Sequence, residues 1–180
     1  MRKISIGQQF FNLLSEGDNH QVIVFGQSRV AKLFEFGDPQ AKEELRLMQH
    51  ANQVNGLLVT GYEIIPSEDY LYDLLVMERV TSLHSRSMQL SEREDMVRIA
   101  RKQLQELHQN GFAHWDIKRP KHIQKGCVWD NVMATQKGIR LIDTGISVTA
   151  EHPEFQEAVE DDLNHFEEWA ELFLRLAPGC

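Results

Sequence analysis

The stretch Leu107-His108-Gln109-Asn110-Gly111-Phe112-Ala113-His114-Trp115-Asp116-Ile117-Lys118 constrains this chain more than any other. Met96, Val97, Ala100, Leu104 and Leu107 recur at helical spacing behind Ser91-Glu92-Arg93-Glu94, which reads as a capping box with Ser91 at the N-cap. A helix running to His108 then ends in a glycine turn and puts Asp116 on a loop. Farther on, Leu141-Ile142-Asp143-Thr144-Gly145 reads as a short apolar strand that delivers a second carboxylate. Two acidic groups at neighbouring loop ends suit phosphoryl transfer. One orients an attacking hydroxyl and accepts its proton, and the other holds Mg²⁺ against nucleotide phosphates.

Length and charge narrow the classes. At 180 residues the chain can build one sizeable core or two small lobes. A formal net charge of -8 argues against a general nucleic-acid or anionic-membrane binder, since both need a positive field. Lys118-Arg119-Pro120-Lys121-His122 with Lys125 is a local exception, open between recognition of an acidic or phosphorylated acceptor and a solvated insertion. Cys127 and Cys180 are too few for a disulfide framework or a cysteine metal site, which implies a reducing, cytoplasmic setting. The N-terminus carries no secretory apolar region, and no apolar run is long enough to span a bilayer. A type III secretion signal would leave no such trace, and oligomeric state is not legible.

Taken in order, these motifs resemble the protein-kinase superfamily. His114-Trp115-Asp116 stands where that family has His-Arg-Asp, and Asp143-Thr144-Gly145 where it has Asp-Phe-Gly. Set on the family's glycine-rich loop, the chain gives Ser15, Gly17, His20 and Val22, so only the middle glycine survives. Val30-Ala31-Lys32 matches the Val-Ala-x-Lys strand. Asp38-Pro39 opens a helix on which Glu44, or Glu43, is the partner of Lys32. Met77 falls at the position beside the adenine, with Glu78 to Val80 as the backbone that hydrogen-bonds it.

The resemblance implies an α+β, two-lobed fold. Residues 1–80 form an N-lobe of five antiparallel strands and one helix with the hinge, and residues 81–180 form an abbreviated, mainly helical C-lobe. Phe10 to Leu14 is open between strand and helix, while Leu57-Leu58-Val59 and Tyr62 to Ile65 form one strand region. ATP is held by Ser15, Gly17, Val22, Ala31, Lys32, Glu44, Met77, Glu78 and Val80. Asp116 accepts the proton and Lys118 neutralises the transferring phosphoryl group. Asp143 binds Mg²⁺, for which Mn²⁺ substitutes, together with Asn131 or His122. Using Asn131 requires an insertion over Arg119 to Asp130, and makes Asn131 to Asp143 a hairpin.

Trp115 replaces the arginine through which many protein kinases sense phosphorylation, which implies that this chain is not switched that way. Asp162, on a helix read from Asp161 to Leu174, matches the aspartate that braces the catalytic loop. The chain stops soon after and looks like the small bacterial type III effector kinases. The implied activity is protein Ser/Thr phosphorylation, with a folded host protein as partner. A lipopolysaccharide-sugar or small-molecule kinase and a pseudokinase that binds a partner are the alternatives.

Overall fold

Alternating apolar runs followed by longer runs of helical period give an α+β chain. A computed structural model describes residues 2–6, 9–16, 20–67, 71–119 and 128–175. The chain divides into two compact units, Met1–Gln49 with Val59–Val80, and His50–Leu58 with Thr81–Cys180. No described helix is long and apolar enough to cross a membrane.

The first unit is an antiparallel sheet of six strands, not the five expected. They are β1 (Lys3–Ile6), β2 (Gln9–Glu16), β3 (Gln21–Val24), β4 (Arg29–Glu35), β5 (Gly61–Ser67) and β6 (Tyr72–Glu78), in spatial order β1-β2-β3-β4-β6-β5. Phe10 to Leu14 is therefore strand, and β1 pairs with it as the additional edge. Ile6, Leu13, Ile23, Ala31, Leu33, Leu74 and Val76 bury one face, with Ile65 of β5 packed against them. Among the described residues, no helix contributes to this cluster.

The helix α1 (Pro39–Val54) serves the other face. Asp38 caps it, Oδ1 accepting the Gln40 N–H at 2.9 Å, and Pro39 takes the first helical position, where the missing N–H costs nothing. A Cβ at Gly61 would stand 3.0 Å from the Met48 Cβ, so glycine there lets helix and strand approach. The Leu57-Leu58-Val59 run is buried but lies outside β5, and Leu58 forms a parallel bridge with Leu141. Burial, not strand formation, explains its apolar character.

The second unit holds α2 (Leu90–Gln109), β7 (Phe112–Ala113), β8 (Val132–Thr135), β9 (Gly138–Leu141), β10 (Val148–Thr149) and α3 (Phe155–Leu174). α2 starts earlier than its sequence suggests: Gln89 is the N-cap, and Glu92 reaches back to accept the Gln89 N–H at 2.8 Å. Ser91 is inside the first turn. Arg93 is buried on the apolar side, and its Nη1 donates to the Phe173 and Leu174 carbonyls at 2.7 Å each. A cation there satisfies the last carbonyls of α3 and opposes the negative end of its dipole. α3 also starts earlier than Asp161, because Phe155 and Ala158 extend its buried stripe toward the N-terminus. β8 and β9 form the hairpin expected between Asn131 and Asp143, with Val132 opposite Leu141.

Candidate functional site

In the second unit, α2 ends where Gly111 takes a φ of +76°, a conformation that glycine adopts without strain. β7 follows and pairs with β10, Ala113 opposite Val148, so the segments before Asp116 and after Asp143 lie side by side. His114 is fully buried between them. Its Nε2–H donates to the Ile142 carbonyl at 3.0 Å, and its Nδ1 accepts the Asp116 N–H at 3.3 Å. His114 is thus a structural tie to backbone.

One carboxylate underlies this loop. Asp162 is fully buried in the middle of α3. Its Oδ2 accepts the His114 N–H at 2.7 Å and the His108 Nε2–H at 3.1 Å, and its Oδ1 accepts the Trp115 N–H at 2.8 Å. Those bonds fix a backbone that would not otherwise choose this path: Trp115 has a φ of +61°. For a bulky residue the left-handed region costs about 1–2 kcal/mol and persists only where the surroundings over-determine it.

Asn131 then reaches back to Asp116 across fifteen residues of sequence. Its Nδ2 donates to the Asp116 carbonyl and to Asp116 Oδ2, both at 2.8 Å, and its side chain is buried. The intervening excursion is pinned at its neck, where the Arg119 N–H donates to the Val128 carbonyl at 2.9 Å and Arg119 Nε meets Asp130 Oδ1 at 3.1 Å. The Asn131 carbonyl accepts the Ile142 N–H at 3.0 Å, which seats Asn131 beside the approach to Asp143. Asp143 has a φ of +64°, and its Oδ1 accepts the Gly145 N–H at 3.2 Å. Aspartate tolerates that conformation because its side chain can bond locally.

The electrostatics follow from this crowding. Burial pushes the Asp116 carboxyl above its ordinary value, and the neighbouring Asp143 charge adds to the shift, while His114, Arg119 and the Asn131 amide oppose it. Two carboxylates that disfavour each other's charge invite a cation. Both Nδ2 hydrogens of Asn131 are directed at Asp116, so Oδ1 is its side-chain atom with the chemistry to ligate a cation. Hard oxygens of this kind suit Mg²⁺. Among the described residues there is no cluster of three or more His, Cys, Asp or Glu able to hold a metal alone.

Lys118 is placed differently from its expected role. Its ammonium sits on the Glu168 carboxylate of α3 and lies 5.2 Å from the centre of the Trp129 ring. Arg119, the next residue, is among the groups that favour the charged form of Asp116.

In the first unit, Lys32 and Glu44 form a buried ion pair, Nζ to Oε1 2.8 Å and to Oε2 3.0 Å. Glu43, the other candidate partner, is engaged by Arg46 on the exposed side of α1. Strand register puts Ser15 opposite Val22, Val22 opposite Lys32 and Lys32 opposite Leu75, so these residues share a row on one face. An irregularity between Leu13 and Ser15 is what turns Ser15 to that side, away from the face that Leu13 buries.

Ala31 is a correction. Adjacent strand residues point to opposite faces, and Ala31 lies fully buried in the apolar cluster behind Lys32. It cannot line the same ligand as Lys32. Val30-Ala31-Lys32 is one residue shorter than Val-Ala-x-Lys, and that missing residue reverses the side.

Met77 is two residues beyond Leu75 on β6 and so shares the Lys32 face, partly buried. The Glu78 N–H donates to the Thr60 carbonyl at 2.8 Å and the Arg79 N–H to the Ser28 carbonyl at 2.9 Å, so neither can serve a ligand as well. The Glu78 carboxylate is buried, its Oε2 accepting from the N–H and hydroxyl of Thr60 at 3.3 Å. Val80 is partly buried at the end of the unit. His20 is anchored, with its ring 4.3 Å from that of Phe34 and its Nδ1 3.1 Å from the Leu33 carbonyl. Gly17 and His122 lie outside the described residues.

Two contributors escaped the sequence reading: His108 beneath Asp162 and Asp161 beside Trp115. Asp162 did carry a signal, since it is a charged residue in the buried stripe between Ala158 and Phe166. No family model matches the chain, and no curated protein matches it in sequence.

Proposed function

We propose that the chain is an ATP-dependent phosphotransferase of kinase-like, two-lobed fold that transfers the γ-phosphoryl group of Mg·ATP to a protein Ser or Thr hydroxyl. The observation that carries this reading is the return of Asn131 onto Asp116, with Asp143 close enough to raise the Asp116 carboxyl. Neither the core nor the hairpin needs those three side chains together, whereas phosphoryl transfer does. The Lys32–Glu44 pair supports the same reading, because a buried lysine aimed by a carboxylate is a fixed positive charge for phosphate oxygens.

Asp116 orients the acceptor hydroxyl and takes its proton as the new O–P bond forms and the bond to the ADP oxygen breaks. Its raised pKa makes it a better base than a solvated aspartate. Lys32 holds the α- and β-phosphates. Asp143 and the Asn131 amide oxygen hold Mg²⁺, which when bound neutralises charge on the phosphate oxygens. Ser15 and Val22 cover the nucleotide from the Lys32 face, Met77 borders its base, and the Val80 backbone bonds it. Lys118 reaches the phosphates only by leaving Glu168. In this reading the chain is a bacterial effector whose acceptor is a folded host protein.

The test is incubation with γ-labelled ATP and Mg²⁺, alone and with a cell lysate, beside Asp116→Ala and Asp143→Ala. Label on protein, lost in both variants, is the expected result. Label on extracted lipid or sugar would transfer the reading to a small-molecule kinase, and no label would leave a partner-binding pseudokinase. Asn131→Ala should reduce transfer far more than His122→Ala; the opposite order would overturn the metal assignment.

A further inference from the structure

Trp115 stands where the resemblance expects arginine, and it is tied down on every side. Its N–H donates to Asp162 Oδ1 at 2.8 Å and its indole Nε1–H to Asp161 Oδ2 at 3.3 Å. The ring meets His152 edge to face, with centres 5.9 Å apart. It also packs on a satellite core of Ala113, Val148, Phe155 and Ala158, drawn from β7, β10 and α3.

His152 belongs to the turn at 150–154, which is itself closed by hydrogen bonds. The Ala150 N–H donates to the Gly111 carbonyl at 3.0 Å, His152 to Thr149 at 2.9 Å and Phe155 to His152 at 3.1 Å. The indole therefore joins the loop that carries Asp116, the turn downstream of Asp143, and the start of α3.

The hydroxyls between Asp143 and α3 complete the case. They are Thr144, Ser147 and Thr149. Thr144 and Ser147 are buried, with Ser147 Oγ donating to the His114 carbonyl at 2.9 Å, and Thr149 is half-buried within β10. None stands out as an acceptor for a modifying enzyme, and the segment is already docked.

We propose that Trp115 is the positioning residue of the reaction: its indole clamps the 150–154 turn and the start of α3 to the catalytic loop, holding Asp116 in place without a covalent signal. The kinetic consequence rests on the phosphotransferase reading; the clamp itself does not. A ring that buries apolar surface on one side and donates a hydrogen bond on the other does what an arginine–phosphate contact would do, but permanently.

Glycine separates the two roles that Trp115 could play. Trp115→Gly tolerates the positive φ and so keeps the backbone unstrained while deleting the indole. Trp115→Phe keeps the ring contact and loses only the bond to Asp161. The experiment combines steady-state transfer of labelled phosphoryl with amide hydrogen exchange over residues 112–119 and 148–158.

Trp115→Gly should lose kcat on the order of 10²-fold, as for a displaced catalytic group, with KM for ATP within about twofold of native. Both segments should lose exchange protection together while α2 and the six-stranded sheet keep theirs, and Trp115→Phe should retain most of both properties. Native kcat and protection in Trp115→Gly would overturn the proposal. So would a loss of protection across the whole chain shared by Trp115→Phe, which would make the residue a folding element only. If the native chain transfers no phosphoryl group, the phosphotransferase reading falls, and the exchange data alone decide whether the clamp exists.

Discussion

The Lys32–Glu44 pair and the Asp116–Asn131–Asp143 cluster hold charge by opposite means. Lys32 and Glu44 sit on a strand and a helix, in relaxed backbone, and pair directly with each other. The aspartate cluster sits on loops, with Trp115 and Asp143 at positive φ, and takes its shape from Asp162, a residue that need not touch a ligand. Where regular elements position a charge, strand register and helix capping set the geometry. Where loops do so, stability is concentrated one layer below the chemistry.

The sharpest way to break that contrast is Asp162→Ala. It leaves the buried His114 and Trp115 N–H groups without an acceptor, at about 1–3 kcal/mol for each. The variant should unfold at clearly lower denaturant concentration and transfer no measurable phosphoryl group. Near-native stability would mean that the loop is held by something else.

Next comes Glu44→Ala. Removing one partner of a buried ion pair takes from Lys32 its Glu44 counter-charge, at about 3–5 kcal/mol, less if the lysine turns out to solvent. Replacing both, as Lys32→Met with Glu44→Leu, should restore stability to within about 1 kcal/mol of native or better, while phosphoryl transfer stays lost. That split between stability and activity is expected only of a pair kept for function. Equal losses in the single and double variants would contradict it.

Much of the first unit is legible because it is regular. Strand alternation and a capped helix put Lys32 and Glu44 within reach of each other, and the same alternation corrects Ala31. Phe10 to Leu14 was ambiguous because a short apolar run carries no period of its own; pairing with β1 made it strand. In the second unit the β8–β9 hairpin and the brace by Asp162 are legible, but the position of Asn131 is not fixed by spacing. Arg119 and Val128 meet through one backbone bond, which no residue pattern announces. Positive φ at Trp115 and Asp143 was invisible for a related reason: tertiary bonds, not local preference, impose it.

A smaller effect is the pH dependence of Asp116. Its folded pKa is raised above the unfolded value of about 4. The folded state therefore binds the proton more tightly, and stability falls as pH rises from about 4 through the folded pKa, then levels off. Asp116→Asn should remove that slope, so its stability relative to native should grow with pH across this window. In the same window kcat/KM should rise with pH as Asp116 ionises. Identical pH–stability curves for the two proteins would place Asp116 in water.

The smallest effect belongs to the Arg101–Glu167 pair between α2 and α3, a two-pronged contact at 2.6 and 2.7 Å on an exposed surface. Arg101→Ala should cost no more than about 1 kcal/mol, and the difference should vanish in high salt. A larger, salt-resistant loss would show that this unit draws on its surface as well as on the bonds beneath the loop.

The central claim is that a strand lysine and a loop aspartate serve one magnesium nucleotide. Calorimetric titration of Mg·ATP into the native chain, Lys32→Met and Asp143→Asn tests it most directly. The account predicts saturable binding by the native chain that each substitution weakens at least about tenfold, or 1.4 kcal/mol. Binding unchanged in both variants, or absent in the native chain, would contradict it.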